Sequence, residues 1–364
     1  MKKIFIVILN WNGGRMIVNC LDSLNDMKRD GLEVKVVVVD NGSTDGSVER
    51  IETAVTSGQW LVASEEKKKR PTTNHPARHA SPAGQGLPAR LPSEARRPGA
   101  LSGWQGEAGR QPPATLRLIK NSSNLGFAEG NNVGIKYALK NGADYVCLLN
   151  NDTRVSSDFL TQLIKTADSD ERIGIVGGKI YFEKGYEFHK EKYKESELGK
   201  VIWYAGGIID WNNVYATHRG VDEVDRGEYD PPAGGEETEY VNGCLMLIKK
   251  EVFKKIGLLD PKYYAYFEEN DFCQRAKKAG YKLYFAPKAI IWHLNAGSSG
   301  PGSSLHDYFL TRNRLLFGMK WAPLRSKMAL VKESIWMLVK GRRWQKIAVR
   351  DFYLGRFEKG SWRD

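Results

Sequence analysis

Apolar and polar positions fall in blocks along this chain. Residues 3–9 (KIFIVIL), 34–39 (VKVVVV), 116–119 (LRLI) and 145–149 (YVCLL) are short apolar runs, the first two rich in β-branched residues. Such runs mark strands buried on both faces of a parallel sheet. Each gives way to a polar loop and then to a stretch that reads as helix, giving the order strand, helix, strand, helix. That order predicts an α/β fold, a Rossmann-like mixed, mainly parallel sheet flanked by helices. With right-handed crossovers, all four loops collect along one rim, where ligands of such sheets bind. A helix is expected over residues 126–140, and its Gly126, Gly130 and Gly134 are expected to serve close backbone approach.

The rim loops carry the candidate chemistry. The run at 145–149 stops at Asn150, Asn151 and Asp152, and one carboxylate there suits a divalent cation also held by phosphate oxygens. A helix cap before residues 155–166 is the structural alternative for Asp152. Asp40 ends the second run and could accept hydrogen bonds from a ribose or a base N–H, or serve the turn formed with Ser43, Thr44 and Asp45. The first loop reads NWNGG, so the GxGxxG dinucleotide fingerprint is missing, as is a GxxxxGK[ST] phosphate loop.

A second acidic cluster, Glu268, Glu269 and Asp271, opens a predicted helix closed by Gly280. Acids in a first turn complement the helix dipole. Four aromatics precede these, however, and apolar surroundings raise a carboxyl pKa toward that of a general base. Arg275 is spaced to pair with Asp271 across one helical turn, an arrangement read as scaffolding.

The segments VILNWNG, VVVVDNGSTDGS, NLGFAEGNNVGI, YVCLLNNDT, VNGCLMLIKKEVFKKIGLLDP, YFEENDFCQRAKKAGY, PKAIIWH and TRNRLLF together resemble the family 2 inverting glycosyltransferases of the A-type fold, in their rhamnosyltransferase-like branch. The resemblance covers most of residues 1–317. It implies a catalytic domain with a nucleotide-sugar half at about 1–180 and an acceptor half at about 181–317. It further implies a nucleoside diphosphate sugar donor, first dTDP-rhamnose, a glycan or lipid-linked glycan acceptor, and Mg²⁺ or Mn²⁺. The family's DxD metal motif falls on Asn150 and Asp152, leaving Asp152 as the main charged ligand, with His293 near the metal or diphosphate. Glu269 matches the catalytic base, with Glu268 as the alternative. Asn10, Asn12, Asp40, Asn41, Asn124, Gly126, Asn131, Asn150, Asn151 and Arg312 form the expected donor-binding set. A catalytically silent sugar-nucleotide-binding or scaffold protein and a nucleotidyltransferase are the rival readings.

Charge changes the picture only locally. The 364 residues carry a net charge of +12, and residues 66–113 hold nine Lys and Arg against three Glu, half of that surplus. This concentration in one odd segment argues against nucleic acid as partner. Residues 65–113 contain no Ile, Val, Phe, Tyr or Met and eight of the fourteen prolines, which predicts a disordered insertion or a mistranslated stretch of the gene record. Cys20, Cys147, Cys244 and Cys273 show no zinc spacing and read as reduced, buried thiols of a cytoplasmic protein. Residues 1–9 are too short for a signal peptide. Residues 318–364 form a basic, amphipathic helical tail, expected either to lie on the inner face of a membrane or to pack on the catalytic domain or in a dimer.

Overall fold

A computed structural model describes residues 1–56, 60–62, 115–232, 234–294 and 303–363; the expected insertion at 65–113 lies outside them. In chain order the strands are β1 (Lys2–Asn10), β2 (Leu32–Asp40), β3 (Leu61–Val62), β4 (Thr115–Lys120), β5 (Tyr145–Asn150), β6 (Thr153–Val155), β7 (Ile173–Phe182), β8 (Ile202–Tyr204), β9 (Gly207–Asp210), β10 (Tyr215–His218), β11 (Glu236–Glu237), β12 (Leu245–Lys249) and β13 (Lys282–His293). The helices are α1 (Met16–Asn25), α2 (Ser47–Thr56), α3 (Gly126–Lys140), α4 (Phe159–Asp168), α5 (Lys250–Ile256), α6 (Glu268–Lys278), α7 (Ser304–Trp321), α8 (Leu324–Lys340) and α9 (Arg343–Tyr353).

One sheet runs β11-β13-β7-β12-β5-β1-β2-β4-β3. The strands β5, β1, β2, β4 and β3 are parallel, and β12 enters antiparallel between β5 and β7. The sheet is therefore mixed and mainly parallel, as the alternation of runs and helices predicts. Ile4 to Ile8 of β1 and Val36 to Val39 of β2 are fully buried because helices cover both faces. Register sets the rim: Asn10 lies opposite Asp40, Leu9 opposite Asn150, and Asp40 opposite Lys120. The polar ends of β1, β2, β4 and β5 thus finish at one level, as expected.

Helix α3 lies directly on β1 and β2. A Cβ on Gly130 would sit 2.5 Å from Leu9 Cδ1, and one on Gly134 2.4 Å from Val7 Cγ1. Neither position has room for a side chain, so the glycines give up helix propensity for close contact with the sheet.

The structure moves three sequence boundaries. The helix expected from residue 155 begins at Phe159, after the extra strand β6, so Asp152 caps no helix. The segment PKAIIWH ends a longer strand that spans Lys282–His293. The tail holds two helices, α8 and α9, broken where Gly341 follows Lys340. Replacing Gly134 with Val should lower stability by about 1–3 kcal/mol, the usual cost of overpacking, read as a lower urea midpoint; an unchanged midpoint would show that α3 is free to lift off the sheet.

Candidate active site

Side-chain amides stitch the rim together. Asn151 Nδ2 donates to Asn10 Oδ1 at 2.9 Å, and Asn10 Nδ2 donates to Asp40 Oδ1 at 2.9 Å, linking β5, β1 and β2. Asp40 Oδ2 accepts from the backbone N–H of Gly42 and Ser43 at 3.2 and 3.0 Å. Asp40 therefore performs the turn chemistry left open by the sequence, and at 2 % exposure it keeps about one acceptor position unused. Asn12 accepts from Thr44 N–H at 2.8 Å and stands exposed at the rim, with Asn150 and Asn151 partly exposed beside it.

Strand β6 brings the next pair together. It runs antiparallel to the end of β13, so Thr153 faces His293 and Leu294 N–H donates to Asp152 O at 2.9 Å. His293 Nε2 consequently lies 3.2 Å from Asp152 Oδ2. Burial works to raise the Asp152 pKa, but the charge and hydrogen bond of His293 outweigh it and hold the carboxyl below its ordinary range. Asp152 Oδ1 and His293 Nδ1 are buried with no hydrogen-bond partner among the described residues. Buried polar atoms are rarely left unpaired, so these two call for a further partner. No group of three His, Cys, Asp or Glu converges as a metal site among the described residues. An ionised carboxylate and an imidazole fit a cation whose other positions are filled by a bound diphosphate.

The second acid pair stands at the start of α6. Glu268 is buried, whereas Glu269 is partly exposed. Burial and then the neighbouring Glu269 charge push Glu268 well above the ordinary carboxyl range; burial pushes Glu269 up to about 7. Both Oε2 atoms lack a partner among the described residues. Residues 242–244 join this pair to the rim: Cys244 O accepts from Asn150 N–H at 3.0 Å, and the Cβ position of Gly243 is 3.8 Å from Glu269 Cβ. Asn242 in turn donates to His218 Nε2 at 3.2 Å, while His218 Nδ1–H donates to Trp203 O at 2.9 Å. The Trp203 ring contacts the rings of both His218 and His293, at 4.4 and 4.6 Å.

The turn before α6 is strained. Tyr264, Tyr266 and Phe267 all adopt positive φ (64°, 67° and 71°), and Ala265 N–H donates to Tyr263 O at 2.8 Å in a classical γ-turn. Each such residue costs on the order of 1–3 kcal/mol and persists only when its surroundings enforce it. Asn313 of α7 supplies that enforcement, its Nδ2 reaching the carbonyls of Tyr263, Ala265 and Tyr266 at 2.7, 2.7 and 2.9 Å. The same turn caps α3, with Phe127 and Ala128 N–H donating to Tyr264 O at 2.6 and 3.1 Å.

Several residues of the expected donor-binding set also carry structural contacts. Arg312 is fully buried, and its guanidinium donates to the carbonyls of Lys262, Tyr263 and Glu358 and to Asn313 Oδ1. With Tyr308 Oη at 3.4 Å as the fifth acceptor, its five N–H groups are all engaged in bracing the turn. Asn41 is spent on loop construction, donating to Asn124 Oδ1 and Gly126 O and accepting from Asn121 and Leu125. Asn124 Oδ1 also accepts from Gly126 N–H at 2.9 Å, holding the start of α3, and buried Asn131 donates to Phe127 O within that helix. Asp271 joins Arg275 at 2.8 Å, Lys320 at 2.6 Å and the Trp321 indole at 2.8 Å, the expected scaffold role. All four cysteines are free and buried. Trp203 and His218 escaped the sequence reading because single residues outside the motif segments carry no spacing signal, and Asn242 lies in a quoted segment without a charge or spacing to single it out.

The mixed sheet with paired acidic centres beyond its strand ends is a glycosyltransferase A-type architecture. It resembles the crystal structure of GalNAc-T7 with UDP, GalNAc and Mn²⁺ at a TM-score of 0.53 and 14% identity, covering 93% of this chain and 56% of that one. The profile described as glycosyltransferase like family 2 matches residues 105–318, more than half of the chain, and that described as glycosyl transferase family 2 matches residues 5–74. This chain belongs to glycosyltransferase family 2. Its similar relatives include the low-salt glycan biosynthesis hexosyltransferase Agl10 of Haloferax volcanii, 24% identical over 45% of this chain and 47% of the relative. Another is an N-acetylglucosaminyl-diphospho-decaprenol L-rhamnosyltransferase of Mycobacterium tuberculosis, 23% identical over 55% of this chain and 66% of the relative. The chain thus spans about half the length of the first and about two thirds of the second.

Replacing Asn313 with Ala removes one hydrogen bond from each of three carbonyls of the strained turn and should cost about 2–4 kcal/mol, measured by urea unfolding, with a lower kcat and retained nucleotide affinity. Unchanged stability would show that the turn holds itself.

Proposed function

We propose that this chain transfers a sugar from a nucleoside diphosphate sugar to a hydroxyl of a glycan or lipid-linked glycan, by a single displacement with inversion at the anomeric carbon. The observation that supports this most is the partly exposed Glu269 with its raised pKa, joined through residues 242–244 to the rim that carries Asp152 and His293. Glu269 accepts the acceptor hydroxyl's proton while that oxygen bonds to the anomeric carbon. The bond from that carbon to the diphosphate oxygen breaks, and its electron pair departs with the nucleoside diphosphate. Glu268, protonated in its buried position, donates to Glu269 and keeps it in place. Asp152 and His293 would hold Mg²⁺ or Mn²⁺, which supplies positive charge for the departing diphosphate. Asp40 offers its unused acceptor position to a base N–H, with Asn12, Asn150 and Asn151 bordering the donor. The rhamnosyltransferase relative makes dTDP-rhamnose the first donor to test and a lipid-linked glycan the first acceptor.

Glu269→Gln should lower turnover by about 100-fold or more, the typical contribution of a general base, with donor affinity kept; near-normal turnover would remove Glu269 from that role. In the unaltered enzyme kcat/KM should rise with pH through about 7, since the base works only when deprotonated and is lost as pH falls. Calorimetric titration with dTDP, UDP and GDP, each with Mn²⁺ and again with a chelator, should show metal-dependent binding of one nucleotide, and Asp152→Asn should abolish that dependence. Binding of none would favour a silent scaffold.

A further inference from the structure

Helix α8 wears its apolar side outward. Ser326, Leu330 and Ser334, spaced one turn apart, are the residues it buries, two of them hydroxyl-bearing. Leu324, Met328, Val331, Ile335, Leu338 and Val339 are between 36% and 73% exposed. At about 100° per residue these six share one arc of roughly 100° on the far side of the helix. The arc is about 25 Å long at helical rise. A continuous exposed apolar strip of this kind marks an interaction surface rather than ordinary solvent-facing helix.

The charges beside the strip say what it meets. Residues 324–346 contain seven Lys and Arg and one acid, Glu333, and that acid is engaged by Arg314 at 2.8 Å. Arg325 and Lys332 border the strip on one side and Lys327 on the other, with exposed Trp336 just beyond Lys332. Long basic side chains flanking an apolar strip can reach headgroups while the strip enters the acyl boundary, and a tryptophan prefers that same depth. Two copies of this surface paired about a two-fold axis would instead bring like-charged borders together. No described helix is long and apolar enough to cross a membrane, so the strip lies along a surface.

We propose that the outward face of α8 docks the protein on an anionic phospholipid bilayer, with the apolar strip at the headgroup boundary and Arg325, Lys327 and Lys332 on the lipid phosphates. A bilayer as occupant deepens the reading of a lipid-linked acceptor but does not rest on it, because the strip and its basic borders belong to α8 alone. The anchoring elements are independent of the acid pairs: α8 itself touches none of the residues assigned to the site.

Flotation of the full chain with phosphatidylcholine vesicles, with and without phosphatidylglycerol, tests this. The unaltered protein should float with the anionic vesicles and bind at least about tenfold less to phosphatidylcholine alone. Met328→Glu combined with Ile335→Glu should lose about tenfold or more of the anionic binding, at an unchanged thermal midpoint because both positions are exposed. Lys327→Gln with Lys332→Gln should remove the preference for phosphatidylglycerol. The proposal is overturned if the unaltered protein floats with neither composition or if the double glutamate variant floats as well as it does. An unaltered dimer that the glutamates dissociate, without vesicle binding, would assign the strip to a second copy and overturn it too. Nucleotide titration of the same samples reports the donor site separately, so failure here and failure of the transferase reading are told apart.

Discussion

Three side-chain-bearing residues at positive φ within residues 264–267 are a local cost of several kcal/mol, and the buried polar residues of α7 are arranged around meeting it. A single amide from Asn313 engages three carbonyls of the turn, and the Arg312 guanidinium shares that of Tyr263 and adds that of Lys262 just before it. Both are buried on α7, which is itself fixed to α6 through Lys320, Trp321 and Asp271. What the strain secures is position. Phe267, in the left-handed region, turns the chain so that α6 begins at Glu268, and Tyr264 O holds the first turn of α3 beside the donor rim. One distorted turn thereby fixes the acid pair relative to the strand ends.

The two acidic centres are tuned in opposite directions by ordinary means. Asp152 is desolvated yet paired with an imidazole, so its charge is favoured. Glu269 is desolvated by burial, which outweighs the hydrogen bond of Glu268, so its proton is retained to about neutral pH. Environments that separate the pKa values of titratable groups suit them to different tasks: an anionic carboxylate suits a cation, and one that titrates near neutrality suits proton transfer, as the proposed function requires. Had His293 stood beside Glu269, the division would have reversed.

Strand runs with β-branched residues and an abrupt polar end were readable because burial on both faces dictates composition residue by residue. The rim at Asn10, Asp40 and Asn150 followed from parallel register alone. The brace was not readable. Arg312 and Asn313 look in sequence like a basic, polar pair suited to phosphate, and only tertiary packing, with residues 262–266 and 358 folded over α7, converts them to internal donors. Asn41 misled for the same reason: an amide at a rim can face a ligand or a neighbouring loop, and the choice depends on how closely the β4–α3 connection approaches, a distance no local pattern encodes. The pairing of Asp152 with His293 likewise depends on β6, a three-residue strand too short to announce itself.

The C-terminal tail was expected either to meet a membrane or to pack on the catalytic domain or in a dimer, and in the structure one of its two helices packs while the other leaves an apolar strip exposed. Helix α9 packs on α7: Asp351 accepts from Tyr308 at 2.7 Å, and Glu358 O receives Arg312 of the brace. Residues past α8 thus complete the support of the strained turn before α6 and cannot be a detachable appendage. Helix α8, between the two, touches the rest through a narrow line of small and apolar residues and keeps its apolar strip free. A segment whose only task was packing would point that strip inward, because burying six aliphatic and thioether side chains is worth on the order of 1.5–3 kcal/mol each. That the chain forgoes this while anchoring both neighbouring helices implies that the strip has an occupant outside the fold.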